Sequence, residues 1–232
     1  MMEKYTQVIN VIHERIKNAA VAAGRDPGGI TLVAATKTQA AEDVRAAILS
    51  GITVCGENRV QEMLAKLKEG AYRGVQLHFI GHLQTNKVRD VVGRVSLIQS
   101  LDSIRLAQAI DKAAKALNIK QDVLIEVKLG EEPNKTGFSP NELFDALEKI
   151  TQYENIVVKG LMTIPPIGHG EHPAERYFEQ MHKIYVDITS KLLDNDSIHI
   201  LSMGMSNDYE YAISAGATMV RVGSAIFGER QC

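Results

Sequence analysis

Lys37, Arg221 and the small polar residues at two strand exits, Ser202 to Ser206 and Gly223-Ser224, are the groups in this sequence whose types and positions suit chemistry. Residues 198–228 read as strand, helix, strand. Ser202-Met203-Gly204-Met205-Ser206 lies at the first strand's exit and Gly223-Ser224 at the second's. In a barrel of alternating strands and helices, the loops after the last two strands, with a short helix N-terminus, recurrently bind phosphate. The donors would be the backbone N–H groups of Gly223 and Ser224 and the Ser206 hydroxyl, and Ser206 also suits the N-cap of the intervening helix. The competing reading is two ordinary turns, because Gly and Ser favour turns for backbone reasons alone.

Lys37 ends the first strand, and period-two alternation puts it on the face of Val33 and Ala35, opposite Ile30, Leu32 and Ala34. The larger apolar set should face the helices, which turns Lys37 into the barrel mouth. Burial there disfavours the charged amine, lowers its pKa and lets it attack an aldehyde to give a Schiff base. The commoner alternative is a strand-end lysine that snorkels to water. On the last strand Met219, Arg221 and Gly223 share the inward face, and in a closed barrel strands one and eight are neighbours. Arg221 should then lie level with Lys37 or one layer away. A buried arginine needs a partner. An inward carboxylate, Glu57 or Glu126, is the structural choice, and an aromatic ring nitrogen is the functional one.

The elements that must position these groups alternate regularly. An amphipathic helix over residues 5–23 precedes a strand at 30–37 and a helix at 40–49. Strands follow at 52–56, 76–81, 95–101, 123–129, 157–164, 198–201 and 218–222. The helices between them fall at 61–68, 85–92, 104–117, 140–150, 173–193 and 208–215. Ser139 suits an N-cap with Pro140 at the first helical position. Strand interiors are apolar rather than alternating, which argues for a parallel sheet covered by helices. Eight strands predict one closed (β/α)8 barrel over residues 1–232, with the first helix as a cover and an open doubly wound sheet as the alternative. Residues 167–172 form the longest loop signal, placed after strand six where a lid would sit.

Composition narrows the function classes. A net charge of −2 leaves no basic field for nucleic acid or an anionic membrane. Cys55 and Cys232 make neither a disulfide framework nor a zinc set, so a reducing cytoplasm fits. The charged first residues argue against a signal peptide, and no apolar run approaches membrane-spanning length. His78 with His82, and His169 with His172, lack a clear third metal ligand. Lys135 reads as a solvated loop lysine or a second amine near the mouth.

Several motifs in order resemble one family. Ala34-Ala35-Thr36-Lys37-Thr38, Gly56-Glu57-Asn58-Arg59-Val60-Gln61-Glu62, His78 to Lys87, Gly160-Leu161-Met162, Leu201 to Ser206 and Met219 to Gly228 are similar to the YggS/PROSC family of pyridoxal 5′-phosphate (PLP) binding proteins. The resemblance implies a barrel like the N-terminal domain of alanine racemase, and a role as PLP carrier or reservoir that supplies apo PLP-dependent enzymes. Carried over by motif, Lys37 forms the Schiff base, Asn58 lies beside the ring and Arg221 faces the pyridine nitrogen. Ser206, Gly223 and Ser224 hold the phosphate, and Ser202 and Met203 line the site. Family members often have Ser where Thr85 stands. The chain is expected to act as a monomer.

The alternative is a PLP-dependent amino-acid racemase with weak activity. Arginine at the ring nitrogen weakens the cofactor as an electron sink. A second proton donor from beyond the eighth strand is not expected either.

Overall fold

The computed structural model describes residues 2–130, 136–166, 174–191 and 198–228. Eight parallel strands pair in sequence order, and the last returns to the first: β1 (Thr31–Ala35), β2 (Val54–Glu57), β3 (Gln76–Phe79), β4 (Leu97–Leu101), β5 (Gln121–Glu126), β6 (Ile156–Met162), β7 (Ile200–Ser202) and β8 (Met219–Val222). The β1–β8 pairing, with Val33 opposite Arg221 and Ala34 opposite Val222, closes the barrel and rules out the open sheet.

Alternation along each strand sorts two apolar layers. Val33, Ala35, Val54, Ile80, Leu97, Leu124, Met162 and Met219 fill the barrel interior. Leu32, Ala34, Cys55, Val220 and Val222 face the helices. The faces expected for β1 and β8 are those observed. Cys55 is buried in the outer layer, and burial, reinforced by Glu57, pushes its thiol up to about 12, so it is inert packing.

The helices are α1 (Met2–Ala22), α2 (Ala41–Leu49), α3 (Val60–Lys68), α4 (Val88–Val91), α5 (Ile104–Leu117), α6 (Leu143–Ile150), α7 (Glu175–Lys191), α8 (Tyr209–Ser214) and α9 (Ser224–Phe227). Helix α1 buries Tyr5, Ile9, Ile12, Ile16 and Ala20, one stripe at three- and four-residue spacing, against α2, α8 and α9. Each buried isoleucine contributes about 1.5–3 kcal/mol. The exposed Arg15–Glu210 pair, although bidentate at 2.8 and 2.9 Å, adds at most about 1 kcal/mol. The stripe therefore holds the cover in place.

Two expected helix starts and one expected cap differ. Helix α6 begins at Leu143, because Phe138 is tied to the β5 exit by bonds to Glu126 and Lys128, and the chain must turn through Ser139 and Pro140 first. The Glu142 carboxylate takes the Ser139 N–H and hydroxyl. The segment after β3 is a 3-10 turn, Thr85–Lys87, running into the short α4. The N-cap position of helix α8 is held by Asp208, not Ser206; its side chain makes no capping bond, and its Oδ1 accepts from the preceding Met205 N–H at 2.6 Å. Among the described residues no helix is long and apolar enough to cross a membrane.

Candidate functional site

Arg221 enters the barrel from β8 and is almost fully buried. Its Nη1 donates to Ser202 Oγ at 2.6 Å and its Nη2 to the Thr163 carbonyl at 2.9 Å. Burial pulls its pKa down to about 10, opposed by the charges of Glu126 and Asp208, so it remains a cation at neutral pH. Ser202 in turn donates to Gln99 Oε1 at 2.8 Å, and Gln99 Nε2 lies 3.0 Å from His78 Nδ1. Burial pushes His78 down to about 4, so the ring is neutral and Nδ1 is the acceptor from Gln99. This polar chain fixes the guanidinium while using two of its five N–H donors.

Lys37 lies two residues beyond the end of β1, half-buried, and lines a cavity of about 370 Å³ at the strand-exit end of the barrel. Arg221, Asn58, Ser206, Gly223 and Ser224 line the same cavity, with apolar walls from Ile80, Ile164 and Met205. Ser206 Oγ accepts from the N–H groups of Gly223 at 3.1 Å and Ala225 at 3.3 Å, which leaves its own proton as a donor. The Gly223 N–H is therefore directed at Ser206, and the hydroxyl ties the β7 and β8 exits together. A Cβ on Gly223 would stand 3.3 Å from the Ala35 Cβ, so glycine eases the approach of the β8 exit to the end of β1. Asn58 Oδ1 is buried and has no hydrogen-bond partner among the described residues. The Asn58 backbone is pressed by Gly81, where a Cβ would lie 2.2 Å from the Asn58 carbonyl oxygen.

Several expected placements change. Met203 packs fully buried on the helix side, because alternation along β7 turns Ser202 inward and Met203 outward. Ser202 sits beneath Arg221 instead of on the cavity wall. Arg221 pairs in register with Val33, four residues before Lys37, and so lies deeper than one layer below it. Glu57 is no partner for Arg221: it faces α3 and pairs with Lys66 at 2.6 Å. His82 pairs with Asp102 at 3.0 Å, apart from the buried His78. Among the described residues no group of three or more His, Cys, Asp or Glu could hold a metal. The loop 167–172 with His169 and His172, together with Lys135 and Cys232, lies outside the described residues.

Gln99, Thr163 and Asp208 support the site without having stood out in the sequence as site residues. Gly81, which also supports it, lies in the His78 to Lys87 motif beside a strand exit. Burial raises the Asp208 carboxyl, offset by its bond from Met205 and by the charge of Arg221. A larger cleft, about 740 Å³, lies between α7 and α8 and is lined by Arg25, His182 and Tyr211, and by none of the residues that converge at the barrel mouth.

A closed parallel barrel with a lysine at the first strand exit, an arginine on the eighth strand and a serine-glycine cradle between the last two strands defines the class of protein. The family described as alanine racemase, N-terminal domain, matches residues 12–231. An alanine racemase from Clostridium difficile, 20% identical, shares the fold with a TM-score of 0.68, over 94% of this chain and 56% of that one. A pyridoxal phosphate homeostasis protein of Aquifex aeolicus is 43% identical over 218 residues, 94% of this chain and 95% of the relative. That of Escherichia coli K12 is 36% identical over 222 residues, 94% of each. PipY of Synechococcus elongatus, solved with PLP bound, superposes with a TM-score of 0.81 at 32% identity, over 94% of this chain and 100% of that one. The chain belongs to the pyridoxal phosphate homeostasis protein family.

Proposed function

We propose that this chain binds PLP in the barrel-mouth cavity through Lys37 and serves as a carrier or reservoir in PLP homeostasis, acting as a cytoplasmic monomer that hands the cofactor to apo PLP-dependent enzymes. The observation that carries the reading is the convergence of Lys37, Asn58, Arg221 and the Ser206–Gly223 cradle on one cavity. The residues fit the cofactor on two counts: an unpartnered buried Asn58 Oδ1, and guanidinium donors not used by Ser202 and Thr163. PipY, solved with PLP bound, supports PLP as the ligand.

When bound, PLP supplies an aldehyde carbon that a primary amine joins with loss of one water. Lys37 would hold that carbon covalently, which keeps other amines away from it. Ser206 and Ser224 would hold the phosphate with hydroxyl and backbone donors, and charge-assisted hydrogen bonds of this kind contribute about 1.5–3 kcal/mol each. Arg221 can only donate, so a ring nitrogen facing it is held as an acceptor, without a proton. Ile80, Ile164 and Met205 would cover the ring and limit water at the amine.

An absorption titration of the purified chain with PLP tests the reading. Binding should produce a visible band from the lysine linkage that saturates at one equivalent and disappears on borohydride reduction. A spectrum identical to that of free PLP with a simple amine, without saturation, would overturn it.

A further inference from the structure

The turn that carries Lys37 is gripped from one side by α3. Two residues one helical turn apart reach the backbone on either side of the lysine. Lys66 Nζ donates to the Thr36 carbonyl at 2.6 Å, and the Thr38 N–H donates to Glu62 Oε2 at 2.8 Å. Residue 36 is fastened further: its N–H bonds the Gly56 carbonyl, and its hydroxyl donates to Glu57 Oε1 at 2.6 Å. The same Glu57 oxygen receives Lys66 Nζ at 2.6 Å and the Tyr72 hydroxyl at 2.7 Å. Thr36, Glu57, Lys66 and Tyr72 are all buried.

Residue 38 has a different hold. Thr38 has a φ of 65°, one of two positive values at non-glycine residues among those described. A β-branched residue avoids that conformation because its Cβ crowds the following carbonyl, so it persists only where surrounding contacts impose it. The bond from its N–H to Glu62 is such a contact, and Glu62 is itself braced by Arg59 at 3.3 Å. A buried ion pair by itself is a poor source of stability, because desolvation offsets its attraction. The Glu57–Lys66 pair, however, ends on the carbonyl and hydroxyl of the residue next to Lys37.

We propose that α3 is a clamp on the Lys37 turn, with Glu62 and Lys66 as positioning residues that aim the Lys37 amine at the aldehyde of bound PLP. This rests on the assignment of Lys37 made above. A held amine acts on a bound aldehyde at a high effective concentration, which loss of positioning lowers, so a loosened turn should weaken the covalent link while leaving the phosphate cradle, built from β7 and β8, unaffected. Glu62 is the residue to change, because it is partly exposed and its loss leaves no buried charge unpaired.

The test compares the full chain's affinity for PLP with that for pyridoxine 5′-phosphate, which keeps ring and phosphate but has a hydroxymethyl group in place of the aldehyde. The ratio of the two affinities reads the Lys37 link alone. In Glu62→Ala the ratio should fall about tenfold, with the pyridoxine 5′-phosphate affinity within about twofold of wild type. Glu62→Gln, which keeps an acceptor for the Thr38 N–H, should recover most of the ratio. Thermal unfolding of each variant checks that it is folded. An unchanged ratio in Glu62→Ala, or equal losses for both ligands, would overturn the clamp. A wild-type ratio near one would instead refute the Lys37 link, and the clamp with it.

Discussion

Gly81→Ala should damage the site by displacing Asn58. The added Cβ would lie 2.2 Å from the Asn58 carbonyl oxygen and 2.6 Å from its Cα, about 1.2 Å inside the 3.4 Å at which ordinary contact begins. Both obstacles are backbone, so no side chain can rotate away. Overpacking of this kind costs about 1–3 kcal/mol. For a chain of this size about 2–4 °C is lost per kcal/mol, which predicts an unfolding midpoint lowered by about 2–12 °C. Moving Asn58 also withdraws its buried Oδ1 from the cavity. One hydrogen bond lost there weakens PLP binding about two- to tenfold. The assay is thermal unfolding by circular dichroism, paired with a PLP titration. Gly29→Ala is the control, since no atom lies within 4 Å of the added carbon. Gly81→Ala matching that control in both midpoint and affinity would refute the argument that residue 81 positions Asn58.

Two further outcomes are expected. Ser206→Ala removes the acceptor of the Gly223 and Ala225 N–H groups along with a donor to phosphate, so PLP affinity should fall about tenfold or more while that of pyridoxal, measured by the same titration, barely changes. His78 has a folded pKa of about 4 against 6.5 when unfolded, so the unfolded chain binds more protons between those values and stability is lost as pH falls through that window. His78→Asn keeps an acceptor toward Gln99 without titrating there, and denaturant unfolding at pH 7 and pH 4 should show the variant losing less, by up to about 3 kcal/mol.

Which parts of this site were legible in the sequence follows from how local each signal is. The facing of Val33 and Ala35 against Leu32 and Ala34 depends on alternation within five residues, and it placed Lys37 and Arg221 at one mouth. Helix α1 was legible for the same reason, its stripe being a property of one segment. Ser206 was misread as a cap because caps and anion cradles draw on the same residue types, and Asp208, two residues on, stands at the N-cap position. Glu57 was misread as inward because its partners, Lys66 and Tyr72, come from a helix and the loop after it. The chain from Arg221 through Ser202 to Gln99 joins residues up to 122 apart, and only barrel closure reveals it. The depth of Arg221 relative to Lys37 depends on the β1–β8 register, which no periodicity in either strand specifies.

The measurement that bears most directly on the account is the position of the covalent link. The full chain loaded with one equivalent of PLP is reduced with borohydride, digested and mapped by mass spectrometry. The pyridoxyl group should be found on Lys37, at the mouth shared with Arg221 and Asn58, and Lys37→Ala should lose it. Label on other lysines with Lys37 unmodified, or undiminished labelling of Lys37→Ala, would contradict the central claim.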